Sequence, residues 1–107
     1  MGTLMKSLVF ACAALAAAIH PAHAAEPTGE AMAATCAGCH GTQGRLGTVE
    51  FMPLAGMAEQ EFVRAMQDFR SGKRQATLMG LVAGSFSDGE IEAMARYFAG
   101  VKPNAAK

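Results

Sequence analysis

The 107-residue sequence has no tryptophan, one tyrosine and four prolines, and its Lys+Arg and Asp+Glu counts are equal at nine each. Without a cationic excess it lacks the charged face that a nucleic-acid binder needs, and strong electrostatic steering of a partner finds little support. No stretch alternates apolar and polar residues for the length of a strand, so the pattern argues against a sheet. No G-x-G-x-x-G fingerprint is present, and the chain is too short for a dinucleotide fold. No internal repeat is visible. A single domain is all that fits.

Long apolar runs are also scarce, with one exception. Residues 8–19 are twelve uncharged apolar residues in a row, preceded by Lys6 and followed by Ala22-His23-Ala24. A basic start, a short apolar stretch and a small-x-small triplet predict a secretory signal peptide over 1–24, cleaved after Ala24. Twelve residues fall short of the roughly 20 that cross a bilayer as a helix, so no membrane anchor is expected after cleavage. Cys12 lies inside this run, behind Phe10 and Ala11, an unpromising context for lipidation. The expected mature chain, 25–107, has 83 residues, two cysteines (Cys36 and Cys39), one histidine (His40) and a net charge of −1. A chain of that size often needs a disulfide, a metal or a cofactor to complete its core.

The remaining pattern is helical. A first helix is expected over Thr28–Cys36, with Thr28 as cap and Glu30 in the first turn. The stretch Gly41–Gly56, with four glycines and Pro53, reads as a loop. Phe62, Met66 and Phe69 recur at helical spacing in a second helix, Ala58–Arg70, stopped by Ser71-Gly72. A short helical turn is expected over Ala76–Ala83. In the last helix Ser87 and Glu90 form a capping box, and Ile91, Met94, Ala95 and Phe98 make one apolar stripe ending at Gly100. From Lys102 onward the chain reads as a frayed tail.

Cys36-Ala37-Gly38-Cys39-His40 is C-x-x-C-H, the pattern of covalent haem attachment. Two thiols three positions apart can reach the two vinyl groups of one porphyrin and form thioethers, and the following imidazole can reach the iron. Three plainer readings compete. Structural zinc needs four ligands, and this segment offers three of the usual types. A thioredoxin-like pair opens a helix after a strand, whereas this one closes a helix. A Cys36–Cys39 disulfide would close a very small ring and remove little unfolded-state entropy.

With His40 as the only mature imidazole, a second iron ligand must be another residue or be absent. Met32, Met66 and Met94 lie on apolar helix faces and read as packing. Met52 and Met57 follow His40 by 12 and 17 residues, a loop short enough to leave them on the histidine side of a porphyrin. Met79, 39 residues beyond His40, can reach the opposite face and is the expected sixth ligand, with Met52 and Met57 as fallbacks. Thioether ligation raises the potential, which suits an electron acceptor.

Taken together, C-x-x-C-H-G at a helix end, Pro53-Leu54-Ala55-Gly56-Met57, Ser71-Gly72-Lys73-Arg74, Thr77-Leu78-Met79-Gly80 and Ser87-Asp88-Gly89-Glu90-Ile91 resemble the class I c-type cytochromes across nearly all of 25–107. The finer pattern is similar to the cytochrome subunits of flavocytochrome c sulfide dehydrogenases. That resemblance implies an all-α class I cytochrome c fold, with three to four helices around one covalently attached haem c. It implies thioethers at Cys36 and Cys39 and axial ligation by His40 and Met79. Pro53 would offer its backbone carbonyl to the free ring nitrogen of His40. Gly29 would let the first and last helices cross closely, with Met32 near Met94 and Tyr97. Arg45, first read as a solvated charge, would contact a haem propionate.

In function, the resemblance implies a periplasmic electron-transfer subunit without catalysis of its own. It would be reduced by an FAD-containing flavoprotein chain that oxidises sulfide, and oxidised by a soluble acceptor such as another cytochrome. A free monohaem carrier fits the same residues, and a haem sensor with an open sixth position would require that no methionine binds the iron.

Overall fold

The computed structural model describes residues 25–48 and 51–104. The expected signal peptide, 1–24, lies outside the described residues. Among the described residues every regular element is helical and none is long and apolar enough to cross a membrane.

The first helical segment is three short pieces in succession: α1 (Gly29–Ala33), a 3-10 turn (Ala34–Cys36) and α2 (Ala37–His40). Thr28 caps it, its hydroxyl oxygen accepting from the Ala31 amide at 3.2 Å, which satisfies one of the free donors at a helix start. The expected helix over Thr28–Cys36 therefore runs four residues further, because Ala37 and Cys36 keep right-handed helical backbone angles. A 3-10 turn, Thr42–Gly44, follows within the loop. Next come α3 (Glu59–Arg70), α4 (Met79–Gly84) and α5 (Asp88–Gly100). The short helix expected over Ala76–Ala83 begins at Met79 instead, with Leu78 as its cap.

The capping box of α5 is complete. The Glu90 amide donates to Ser87 Oγ at 3.3 Å, and the Ser87 amide donates to the Glu90 carboxylate at 2.7 Å. Hydrogen bonding from the Ser87 amide, and after it from the Ser87 side chain, holds the Glu90 carboxyl below its ordinary pKa. Arg70, at the end of α3, pairs with Asp88 and donates to the Phe86 carbonyl at 3.3 Å, tying α3 to the start of α5.

The core forms where α1, α3 and α5 meet, from Met32, Ala33, Phe62, Met66, Ile91, Met94 and Phe98. Phe62 and Phe98 lie with ring centroids 5.4 Å apart, and Tyr97 meets Phe98 edge-on at 5.3 Å. Met32, Met66 and Met94 are all buried, and Met94 is fully so. The closest approach is between backbones. A β-carbon on Gly29 would stand 2.2 Å from the carbonyl oxygen of Ala93 in α5.

The tail differs from expectation. Arg45 Nε donates to the Lys102 carbonyl at 3.0 Å and the Asn104 side chain donates to the Arg45 carbonyl at 3.2 Å. With Val101 buried, residues 101–104 fasten to the loop rather than fray.

Because the obstacle at Gly29 is backbone and cannot rotate away, Gly29→Ala must push α1 off α5. The expected cost is about 1–3 kcal/mol, read as a lower Tm by roughly 4–8 °C per kcal/mol in a domain of this size. Gly89→Ala, at a site where an added β-carbon meets nothing, is the matched control.

Candidate functional site

The C-x-x-C-H residues occupy the last turns of the first helical segment. Thr35 Oγ1 donates to the Met32 carbonyl at 2.7 Å, a side-chain bond that competes with the helical ladder and accompanies the tighter 3-10 turn there. Cys36 and Cys39, three apart on helical backbone, then fall on one side. Both are free thiols, Cys36 half-buried and Cys39 exposed. Burial pushes the Cys36 thiol above its ordinary pKa; the Thr35 hydroxyl works against that rise and the neighbouring Cys39 adds to it.

His40 closes the segment. Gly41 takes φ +77, and a β-carbon there would meet the Cβ of Leu46 at 2.6 Å, so only glycine turns the chain at this point without strain. The turn lets the His40 carbonyl accept from the Leu46 amide at 2.8 Å. The imidazole is 8% exposed and meets the Phe51 ring edge-on at 5.9 Å.

His40 Nδ1 lies 2.8 Å from the carbonyl oxygen of Met52. A carbonyl only accepts, so Nδ1 carries the proton, and in the neutral ring that leaves Nε2 with the lone pair, the form that ligates a metal. The expectation that Pro53 supplies this carbonyl is corrected: the acceptor is Met52, one residue earlier. Pro53 follows it and restricts it to extended backbone, while its ring packs within 3.2–3.7 Å of a β-carbon built on Gly47. The loop is pinned in turn, with the Leu54 and Ala55 amides donating to the Gly44 carbonyl at 2.7 and 3.0 Å and the Gly56 amide donating to the Phe98 carbonyl at 2.8 Å.

These groups open onto one cavity of about 630 Å³, within the range of small-molecule and cofactor sites. Cys36, Cys39 and His40 line it together with Met79, the first residue of α4. Met52, Met57 and Met66 line it too, so the structure brings four methionines to its wall. They are not equivalent. Met57 and Met66 are core residues. The sulfur of Met52 lies 3.8 Å from Arg74 Nη2. Met79 is half-buried at the core's edge. Phe62, Phe69, Leu54 and Val82 supply apolar walls.

Sequence reasoning missed the Met52 carbonyl and Arg74. The signal for the first was its place before a proline; for the second, its place in the stretch between α3 and Met79. Arg45 is not on the cavity wall, since its guanidinium is turned to Lys102. Among the described residues no cluster of three or more His, Cys, Asp or Glu side chains could hold a metal ion, so the donors available are a thiol pair, one imidazole and thioethers. An apolar cavity with those donors fits a planar iron porphyrin attached through its edge.

This defines a small all-helical domain with an apolar cavity whose donors suit a haem. Comparison with known proteins names the class. No protein-family model matches the chain. It is 37% identical over 73 residues to the cytochrome subunit of sulfide dehydrogenase from Chlorobaculum tepidum, covering 68% of this chain and 66% of that one. It is 39% identical over 69 residues to the thiosulfate dehydrogenase electron acceptor of Stutzerimonas stutzeri, covering 62% of this chain and 32% of the relative. It is 33% identical over 76 residues to cytochrome c-553 of Helicobacter pylori, covering 68% of this chain and 77% of the relative. The chain thus spans just under two thirds of the first of these and about a third of the second. It belongs to the c-type cytochromes, with the all-α class I fold, and haem c is the cofactor that this membership implies.

Since the His40 acceptor is a backbone carbonyl of Met52, Pro53→Ala leaves the acceptor in place and releases only the chain around it. The expected result is a loss of about 0.4–1 kcal/mol in denaturant unfolding, with the His40 Nδ1 proton still slow to exchange by NMR.

Proposed function

We propose that this protein is a periplasmic, single-haem electron-transfer subunit. It accepts electrons from an FAD-containing sulfide dehydrogenase flavoprotein and passes them to a soluble acceptor such as another cytochrome. The observation that carries the electron-transfer reading is the convergence of Cys36, Cys39, His40 and Met79 on one apolar cavity. The choice of donor rests on the likeness to the sulfide dehydrogenase cytochrome subunit, and export rests on the signal-peptide pattern of residues 1–24.

In this reading Cys36 and Cys39 hold the haem through thioethers and His40 offers Nε2 to the iron. Met79 would supply the second side-chain donor to the iron. Its competitors have other tasks: the Met52 carbonyl serves His40, which keeps that residue on the histidine side, and Met57 and Met66 fill the core. A haem bound here supplies a one-electron ferric/ferrous couple, which thioether ligation poises toward accepting electrons. The apolar walls would keep water from a haem bound here, and Leu78 and Leu81, the latter 76% exposed, place an apolar surface beside the cavity where a partner chain can pack.

A second reading, a free carrier with no permanent partner, is favoured by the likeness to cytochrome c-553, whose length this chain covers best among the relatives named. Native purification separates the two. The proposal expects one haem per chain and co-elution with an FAD-bearing polypeptide that reduces the haem on addition of sulfide. Elution as a haem-bearing monomer, with no flavin, overturns the subunit reading in favour of the carrier.

The ligand assignment has its own test. Met79→Ala is expected to abolish the far-red absorption band of sulfur-ligated ferric haem and to lower the potential, while Met52→Leu and Met57→Leu retain the band. Persistence of the band in Met79→Ala moves the assignment to one of the other two.

A further inference from the structure

Two peptide units flank Arg45, and each holds one half of the setting of the imidazole. In the unit before it, the Gly44 carbonyl accepts from the Leu54 and Ala55 amides at 2.7 and 3.0 Å, which fixes the chain just beyond the Met52 carbonyl. In the unit after it, the Leu46 amide donates to the carbonyl of His40 itself at 2.8 Å. The acceptor for the imidazole and the residue that carries the imidazole are therefore both referred to the backbone at Arg45. That backbone is not relaxed. Gln43, two residues earlier, takes φ 55 and ψ 23, and Gly44 takes φ 69. A residue with a side chain stays in the left-handed region only where surrounding contacts hold it there.

Contacts that hold this turn come from the far end of the domain. Arg45 Nε donates to the Lys102 carbonyl at 3.0 Å, and the Asn104 side chain donates to the Arg45 carbonyl at 3.2 Å. Residues 101–104 are themselves seated. Val101 is buried and its amide donates to the Phe98 carbonyl at 3.1 Å, while Pro103 lies against Gly56, where an added β-carbon would meet its Cδ at 3.1 Å. A guanidinium N–H to a carbonyl is charge-assisted and stronger than a neutral bond. The bond from Asn104 acts on a planar unit: the Arg45 carbonyl and the Leu46 amide turn together, so holding the first keeps the second aimed at His40.

We propose that Arg45 is a positioning residue for the His40 imidazole, and that residues 101–104 are the strap through which the end of α5 holds it. This replaces the haem-propionate contact expected of Arg45 from sequence. It rests on the haem reading above and extends it: the strap keeps the Met52 carbonyl at Nδ1, and an acceptor held there makes the imidazole a stronger donor at Nε2. With the strap loosened, the imidazole donates less to an iron, and the ferric state, which depends more on that donation, loses stability relative to the ferrous.

The test uses the haem-loaded full protein and the variants Arg45→Met, Arg45→Lys and Asn104→Ala. The matched control is Arg70→Met, which removes an arginine-to-carbonyl tie elsewhere, between α3 and the start of α5. NMR of the reduced, diamagnetic protein reads the exchange of the His40 Nδ1 proton, and equilibrium with a fixed redox partner reads the potential. Arg45→Met is expected to speed the exchange about tenfold and Asn104→Ala about threefold. Arg45→Lys, whose ammonium can still donate to the Lys102 carbonyl, should restore most of the protection. Asn104→Ala changes no charge and should move the redox equilibrium toward the ferrous form. Loss of a cation alone would move it toward the ferric form, so the sign separates positioning from simple electrostatics. Arg70→Met should lower the Tm and leave the exchange at the wild-type rate. Exchange unmoved in both Arg45→Met and Asn104→Ala overturns the proposal, and so does an equal acceleration in Arg70→Met. A wild-type protein without haem absorbance is a different failure, visible before any variant is compared, and it defeats the haem reading itself.

Discussion

The contact on which the rest of the structure hangs is the crossing of α1 and α5 at Gly29 and Ala93. Two backbones in near contact leave room for nothing larger than hydrogen at Gly29, and dispersion over so close an interface is correspondingly strong. From that crossing the first helical segment is aimed. Seven residues on, it delivers Cys36 to the cavity wall, and one more turn delivers Cys39 and His40. From the same crossing α5 runs to Phe98, whose ring packs on Phe62 and whose carbonyl holds the Gly56 amide. One end of the binding loop is thereby fixed by α5 and the other by His40, so the loop's middle, Phe51 to Leu54, has little choice but to lie behind the imidazole.

The chemistry of the site is a consequence of that framing. An imidazole exposed to water samples two tautomers and many orientations; His40 is held to one of each by a single carbonyl 2.8 Å from Nδ1. The acceptor being backbone rather than side chain matters, because it cannot protonate and cannot rotate away on its own. Pro53 contributes from the next position by restricting Met52 to extended backbone. The orientation of the imidazole thus traces back through Met52 and the Gly44 carbonyl that anchors Leu54 and Ala55.

The elements with strong local signals were legible in the sequence. The helix Asp88–Gly100, with Ser87 and Glu90 at its start, follows from capping chemistry that acts within four residues, and Glu59–Arg70 follows from the spacing of Phe62 and Met66. The cysteine pair and His40 were legible for the same reason, since their geometry is set by one helical turn. What depended on distant contacts was not. Whether Met52 or Pro53 faces the imidazole depends on how a loop packs against Gly44 and Phe98, which adjacent residues do not encode. Arg45 and Arg74 look alike in sequence, and only the tail at Lys102 and the ring at Phe69 assign them to different surfaces. The start of α4 at Met79 rather than Ala76 is of the same kind: Gly80 lies against the Phe69 carbonyl, so α3 sets where the next helix can begin.

A chain with so few aromatic residues explains why its middle is a cavity. Phe62, Phe98 and four buried methionines fill the core, with Met79 packed at its edge, and beside them lies a cavity of about 630 Å³ lined largely by apolar side chains. Left to water, those walls would forfeit at roughly 25 cal/mol per Å² the apolar burial that a domain this small can least spare. The haem c that family membership implies would restore that burial and be shielded by it. Phe62 and Met66 belong to the core and line the cavity at once.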